Sequence, residues 1–196
     1  MRNICVIALL LFAVGCDDVV TVRALPSPEP TVPSANLPVE IRERNWLGDK
    51  KEGSCVYASL VNHVRWLNLP ELAKKIRSEY GNGEYESRLK ANLDALGVRH
   101  ASVSNADPRF LDWCDLERRG AILWWKPYHC CTFCGWVTKP DGKQYAVILD
   151  NNRPEEFELT EREQFVRLWA GYGGFALCVI ADPANSVPYP SYEVVE

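Results

Sequence analysis

Two strand-like runs, His129 to Val137 and Gln144 to Leu149, flank Thr138-Lys139-Pro140-Asp141-Gly142-Lys143 and narrow the choice of folds further than any other stretch. Proline presets φ for a turn, aspartate bonds to nearby backbone and glycine takes positive φ, so the runs are predicted to pair as a β-hairpin. That commits the later half of the chain to antiparallel pairing. Ala121 to Trp125 reads as a buried strand before the hairpin and Phe175 to Ile180 as a last strand after it, with an amphipathic helix at Glu161 to Trp169 between.

The earlier half has a different period. Val56, Leu60, Val64 and Leu67 fall on one face of a 3.6-residue repeat, predicting a helix from Cys55 to about Leu67 with Ser54 as its N-cap. Pro70 opens a second helical pattern that ends at Gly81-Asn82-Gly83, and a third runs from Ser87 to Leu96. A short strand at Val98 to Ser102 and a helix at Pro108 to Arg118 follow. Helices mostly first and strands mostly later predict an α+β fold, with an N-terminal helical part against an antiparallel sheet.

At 196 residues, 47% of them hydrophobic, the chain suits one sizeable core. A net charge of −4 with no basic run among exposed aromatics sets nucleic-acid binding aside. The N-terminus differs: Arg2 and Asn3 precede an apolar run from Ile4 to Val14, the pattern of a signal peptide. Ala13-Val14-Gly15-Cys16 resembles a bacterial lipoprotein box, with Ala13 where Leu is usual. The expected organisation is a signal over 1–15, a lipidated Cys16 and Pro-rich tether over 16–40, a catalytic domain over 41–182 and a Pro-rich tail over 183–196. The protein is expected outside the cytoplasm, anchored to a membrane by lipid on Cys16; plain secretion is the alternative.

Cys55 lies in Gly53-Ser54-Cys55-Val56-Tyr57-Ala58-Ser59, at the start of the first helix, where free N–H groups and the dipole favour a thiolate. Of three histidines, His63 is eight residues along the same helix, about 12 Å away at 1.5 Å per residue. It reads as an ordinary surface or half-buried side chain. His100 is not excluded by distance. His129 opens the hairpin, whose other strand ends in Asp150-Asn151-Asn152. With the turn centred near Pro140-Asp141, His129 faces a residue close to Asn152, and Asp150 lies one step away on the same side. Asp150 is the preferred partner for the imidazole, since an anion fixes its tautomer; Asn152 and then Asn151 follow. Each residue alone has a structural reading, as a small buried hydrophobe, a strand histidine or a turn. Their combination points to a Cys-His-Asp acyl-transfer site.

Those three motifs, with Gly173-Gly174-Phe175-Ala176 near the end, resemble a papain-like cysteine peptidase, most similar to the bacteriocin-processing (double-glycine leader) branch. The resemblance spans about Asn45 to Ile180. It implies a papain-like fold with Cys55 as nucleophile, His129 as general base and then acid, and Asp150 as orienter. That family commonly places a Gln a few residues before the Cys to complete the oxyanion hole, and positions 49–54 hold none. Asn45 is the nearest upstream amide and becomes the oxyanion candidate.

His129-Cys130-Cys131-Thr132-Phe133-Cys134 also contains zinc-ligand residue types. Alternation along a strand puts Cys130 and Cys134 on one face and His129, Cys131 and Phe133 on the other, which works against gathering them on one ion, so no metal or other cofactor is expected. A disulfide joining Cys130 or Cys134 to Cys114 or Cys178 stays open. The expected function is a monomeric thiol hydrolase acting on a peptide or protein substrate. The alternative is a non-catalytic lipoprotein using the fold as a binding or inhibitory module, and a transferase or amidase lies between.

Overall fold

The computed structural model describes residues 32–181. A 3-10 turn at Val39–Ile41 precedes helices α1 (Cys55–Trp66), α2 (Pro70–Glu79) and α3 (Glu86–Ala95). Then come β1 (His100–Ser104), α4 (Pro108–Leu116), β2 (Ala121–Trp124), β3 (Cys130–Thr138), β4 (Gln144–Leu149), β5 (Glu158–Glu161), α5 (Arg162–Gly171) and β6 (Phe175–Val179). The six strands form one antiparallel sheet in the order β1-β6-β2-β3-β4-β5, so the chain is α+β. The signal segment, Cys16, most of the tether and the Pro-rich tail lie outside the described residues.

Period-two alternation sorts the sheet into two cores. Ile122, Phe175, Leu177 and Val179 pack with α1, α2 and α3, while Ala121, Leu123, Ala176 and Cys178 pack with α4 and α5. On the second face the Trp125 and Phe165 rings stack at 4.9 Å between centroids, and Trp136 stands perpendicular to Phe165 at 5.6 Å. Pro70 and Pro108 sit in the first turns of α2 and α4, and the Asp107 side chain caps α4 by accepting from the Arg109 backbone N–H at 3.0 Å.

The sequence suggests one buried face for α1, yet every residue from Cys55 to Val64 is buried. Its polar side chains are accommodated by partners. Asn62 accepts from the Glu43 N–H at 2.6 Å and donates to the Glu43 carbonyl at 3.1 Å, and His63 Nε2 accepts from the Val179 N–H at 2.9 Å. Each Val or Leu buried there contributes about 1.5–3 kcal/mol, so α1 is the axle of the first core.

Packing also reaches further toward the N-terminus than composition implies. Ala35 and Leu37 are buried, Ala35 N–H donates to the Cys134 carbonyl at 2.7 Å, and Ser34 Oγ donates to Asp115 Oδ1 at 2.5 Å. Strand β5 was not foreseen, because Leu159 is its single large apolar residue and leaves no readable alternation.

The hairpin contains a bulge. Thr132 pairs with Leu149 and Phe133 with Ile148, but beyond it Gly135 pairs with Val147, a shift of register at Cys134. Gly135 adopts φ +132°, and a Cβ there would stand 2.7 Å from Ser34 Oγ. Glycine is what permits both the backbone angle and the seat of the N-terminal segment.

Candidate active site

Cys55 is the first residue of α1, but Ser54 does not cap the helix with its side chain. Its hydroxyl donates to Asn45 Oδ1 at 3.1 Å and accepts from the Trp46 N–H at 2.9 Å. Residues 47–53 form a small excursion closed by a bridge between Leu47 and Gly53. The Ser54 N–H donates to the Trp46 carbonyl at 2.9 Å and to Asn45 Oδ1 at 2.8 Å. Ten residues of sequence separation therefore collapse, and the Asn45 amide stands beside the residue that precedes the sulfur. A cleft of about 550 Å³ opens along this excursion, with Trp46, Glu52, Tyr57, Tyr80 and Glu84 among its walls.

His129 precedes β3, after the Lys126-Pro127-Tyr128 turn in which Lys126 and Tyr128 both take positive φ. Its Nε2 bonds Asp150 Oδ1 at 2.8 Å, and the Cys55 thiol lies near enough to the same imidazole to help raise its pKa. With Nε2 committed to the carboxylate, Nδ1 is the nitrogen left to exchange a proton with the sulfur. Burial pushes the His129 pKa down, but the Asp150 bond and the nearby Cys55 thiol outweigh it and lift the imidazole to about 9. Burial likewise opposes ionisation of Asp150. The bonds from His129, the Asn152 N–H at 2.9 Å and Lys126 Nζ at 3.2 Å prevail, and hold its carboxyl well below the usual carboxylate range.

The three consecutive residues after β4 do different work. Asp150 takes the imidazole. Asn152 Nδ2 lies at 3.4 Å from His129 Nε2, a longer contact, while Asn152 Oδ1 accepts from Asn45 Nδ2 at 3.0 Å. Asn151 turns inward and is fully buried, away from the imidazole. Its Nδ2 reaches the Cys55 carbonyl at 3.0 Å, the Cys130 carbonyl at 2.8 Å and Ser59 Oγ at 2.8 Å, and its own carbonyl accepts from the Asn45 N–H at 2.8 Å. Ser59 Oγ donates to the Cys130 carbonyl at 3.0 Å, and Thr132 Oγ1 donates to the Ser59 carbonyl at 3.2 Å. This polar staple fixes the start of α1 to the start of β3, and so fixes the sulfur relative to the imidazole.

The other histidines lie elsewhere. His63 is buried rather than superficial, with Nε2 accepting from the Val179 N–H. His100 opens the edge strand β1, and its Nδ1 lies 3.2 Å from the Val98 carbonyl. All six described cysteines are free thiols; Cys130, Cys134 and Cys178 donate to backbone carbonyls. Cys131, weighed above as a zinc-ligand type, completes the surroundings of the site together with Lys126 and Ser59. Ser59 carried a signal, since it lies one helical turn from Cys55. Lys126 carried none, because its position depends on the turn geometry.

No protein-family model matches the chain, and no curated protein matches it.

Proposed function

We propose that the protein is a papain-like thiol hydrolase that cleaves a peptide or amide bond, with Cys55 as nucleophile, His129 as base and then acid, and Asp150 as orienter. The observation that carries this reading is the His129 imidazole, bonded to Asp150 at 2.8 Å and near enough to the Cys55 thiol for that group to raise its pKa. A cysteine at a helix start facing an imidazole on a neighbouring sheet is also the papain-like division of labour, and it supports that fold over other α+β arrangements.

In this mechanism His129 takes the Cys55 proton and the thiolate adds to the substrate carbonyl carbon. The imidazolium returns the proton to the leaving amine as the carbon–nitrogen bond breaks. Water, deprotonated by the same imidazole, then adds to the thioester and expels the thiolate. Asp150 remains ionised throughout and stabilises the imidazolium. The Cys55 N–H supplies one oxyanion donor. Asn45 supplies a second: Asn152 engages one of its two amide hydrogens and the other is available to the oxyanion. Asn152 thus serves Asn45, and Asn151 serves the backbone frame. A peptide or protein is the substrate class this chemistry serves, and lipid on Cys16 would hold a monomer at a membrane outside the cytoplasm.

The test is to incubate the purified protein with a complex peptide mixture and identify new termini by mass spectrometry. Cleavage lost in both Cys55→Ala and His129→Ala supports the hydrolase. Cleavage that survives Cys55→Ala overturns it. No cleavage, with alkylation of Cys55 indifferent to His129, favours a binding or inhibitory module.

A further inference from the structure

Cys131 occupies an unusual position for a thiol that the reaction does not use. The Cys130, Cys134 and Cys178 thiols each donate to a backbone carbonyl. Cys131 instead shares a small volume with the catalytic pair: the ligand atoms of His129, Cys131 and Asp150 all lie within 4.8 Å of one another. Alternation along β3 had argued against a metal by considering only the ligands of that one segment. It correctly put His129 and Cys131 on one side, and β4 delivers Asp150 to the same side as a third donor.

We propose that His129 Nε2, Cys131 Sγ and an Asp150 carboxylate oxygen form a binding site for a thiophilic divalent cation such as Zn2+, whose occupancy switches the enzyme off. An imidazole nitrogen, a thiolate and a carboxylate are the donor types zinc takes, at about 2.0–2.3 Å each. Donors held that close to one tetrahedral ion are separated by roughly 3.3–3.8 Å. Reaching that geometry requires the Nε2–Oδ1 pair to open from 2.8 Å and Cys131 to close in. Side-chain rotation supplies movements of that size. His129 and Asp150 keep 12% and 8% of their side-chain surface exposed while Cys131 is fully buried, so an ion reaches the thiol past these two side chains.

On binding, the Cys131 S–H bond breaks and its proton passes to solvent as a Zn–S bond forms. Nε2 donates its lone pair to the metal, the proton it shared with Asp150 moving to Nδ1 or, from the imidazolium, to solvent so that the ring stays neutral. Thiolate and carboxylate together neutralise the divalent charge, Lys126 keeps Glu158 at 2.6 Å, and water fills the remaining position. Nothing is oxidised or reduced. Cys55 is not among the clustered donors. Binding stands on the donor set alone; the loss of activity rests on the thiol-hydrolase reading.

The experiment titrates zinc chloride into the full chain against a chromophoric chelator, with Co2+ as a spectroscopic substitute, for wild type, Cys131→Ser and Cys55→Ala. The expected result is one bound equivalent in wild type and Cys55→Ala, each with a cobalt–thiolate charge-transfer band. Cys131→Ser should lose the band and more than about tenfold in affinity. Circular dichroism and thermal melting show whether that variant is folded, and Cys131→Ala replaces it if it is not. Hydrolysis by Cys131→Ser should persist at zinc concentrations that silence wild type. Absence of binding in wild type overturns the site, as does binding that survives loss of Cys131 and vanishes with Cys55. Binding without any hydrolysis in metal-free wild type leaves the site standing and rejects the hydrolase reading.

Discussion

Asn151→Ala removes the staple between Cys55 and His129 without altering either side chain. Asn151 Nδ2 has two hydrogens and three acceptors within 3.0 Å, so two bonds form at a time. The carbonyls of Cys55 and Cys130 would not be stripped bare, because α1 and Ser59 still donate to them. The loss is thus two neutral bonds at about 1 kcal/mol each, or roughly 2 kcal/mol. For a domain of this size that lowers Tm by about 4–8 °C. The functional effect should be larger than the stability effect, since a displacement of about 1 Å between sulfur and imidazole costs on the order of 10²-fold in rate. Asn151→Asp keeps the shape but sets an acceptor against two carbonyls in a fully buried place, and should fall at least as far. Differential scanning fluorimetry and the alkylation rate of Cys55 check both. An unchanged Tm together with an unchanged alkylation rate in Asn151→Ala would refute the staple.

Three further outcomes are expected. Asn45→Ala should lower kcat by about 10²–10³-fold with little change in KM, by loss of an oxyanion donor, and Asn45→Gln should not restore it because the Ser54 and Asn152 contacts fix the amide's length; a shift in KM alone contradicts this. Gly135→Ala should destabilise by about 2–5 kcal/mol, from a strained φ of +132° combined with a Cβ 2.9 Å from the Ser34 nitrogen, measured by chemical denaturation. The His129 pKa lies at about 9 when folded against 6.5 ordinarily, so its contribution of about 3 kcal/mol is full below pH 6.5 and disappears as pH rises through 9. Denaturation curves at increasing pH should show that loss in wild type and not in His129→Gln.

Much of the site could be read from residue order because short-range rules decide it. A helix start with free N–H groups, a hairpin turn and an acid at the strand end are all local signals. The hairpin register near His129 matches the expectation through two offsets that cancel. The turn is centred on Asp141, half a residue later than expected, which shifts each partner by one (Thr138 opposite Gln144), and the bulge at Cys134 restores Thr132 to Leu149. Asn45 was legible as an amide but its nearness to Cys55 was not, since the 47–53 excursion is closed by one isolated bridge. Asn151 ranks behind Asp150 and Asn152 as a candidate orienter, and its inward turn is not legible, because strand geometry places residues near a partner but does not say which of three consecutive side chains turns inward. The full burial of α1 and the docking of Ala35 escaped for the same reason: helix periodicity describes one face, and the second layer comes from segments distant in sequence.

The most direct measurement is the site-resolved rate of iodoacetamide alkylation at about pH 6 on the folded protein, by peptide mapping. The account predicts that Cys55 reacts well ahead of the buried thiols at 114, 130, 131, 134 and 178, and that His129→Ala removes this lead while leaving the fold intact. Labelling of Cys55 at the same rate with and without His129 would contradict it.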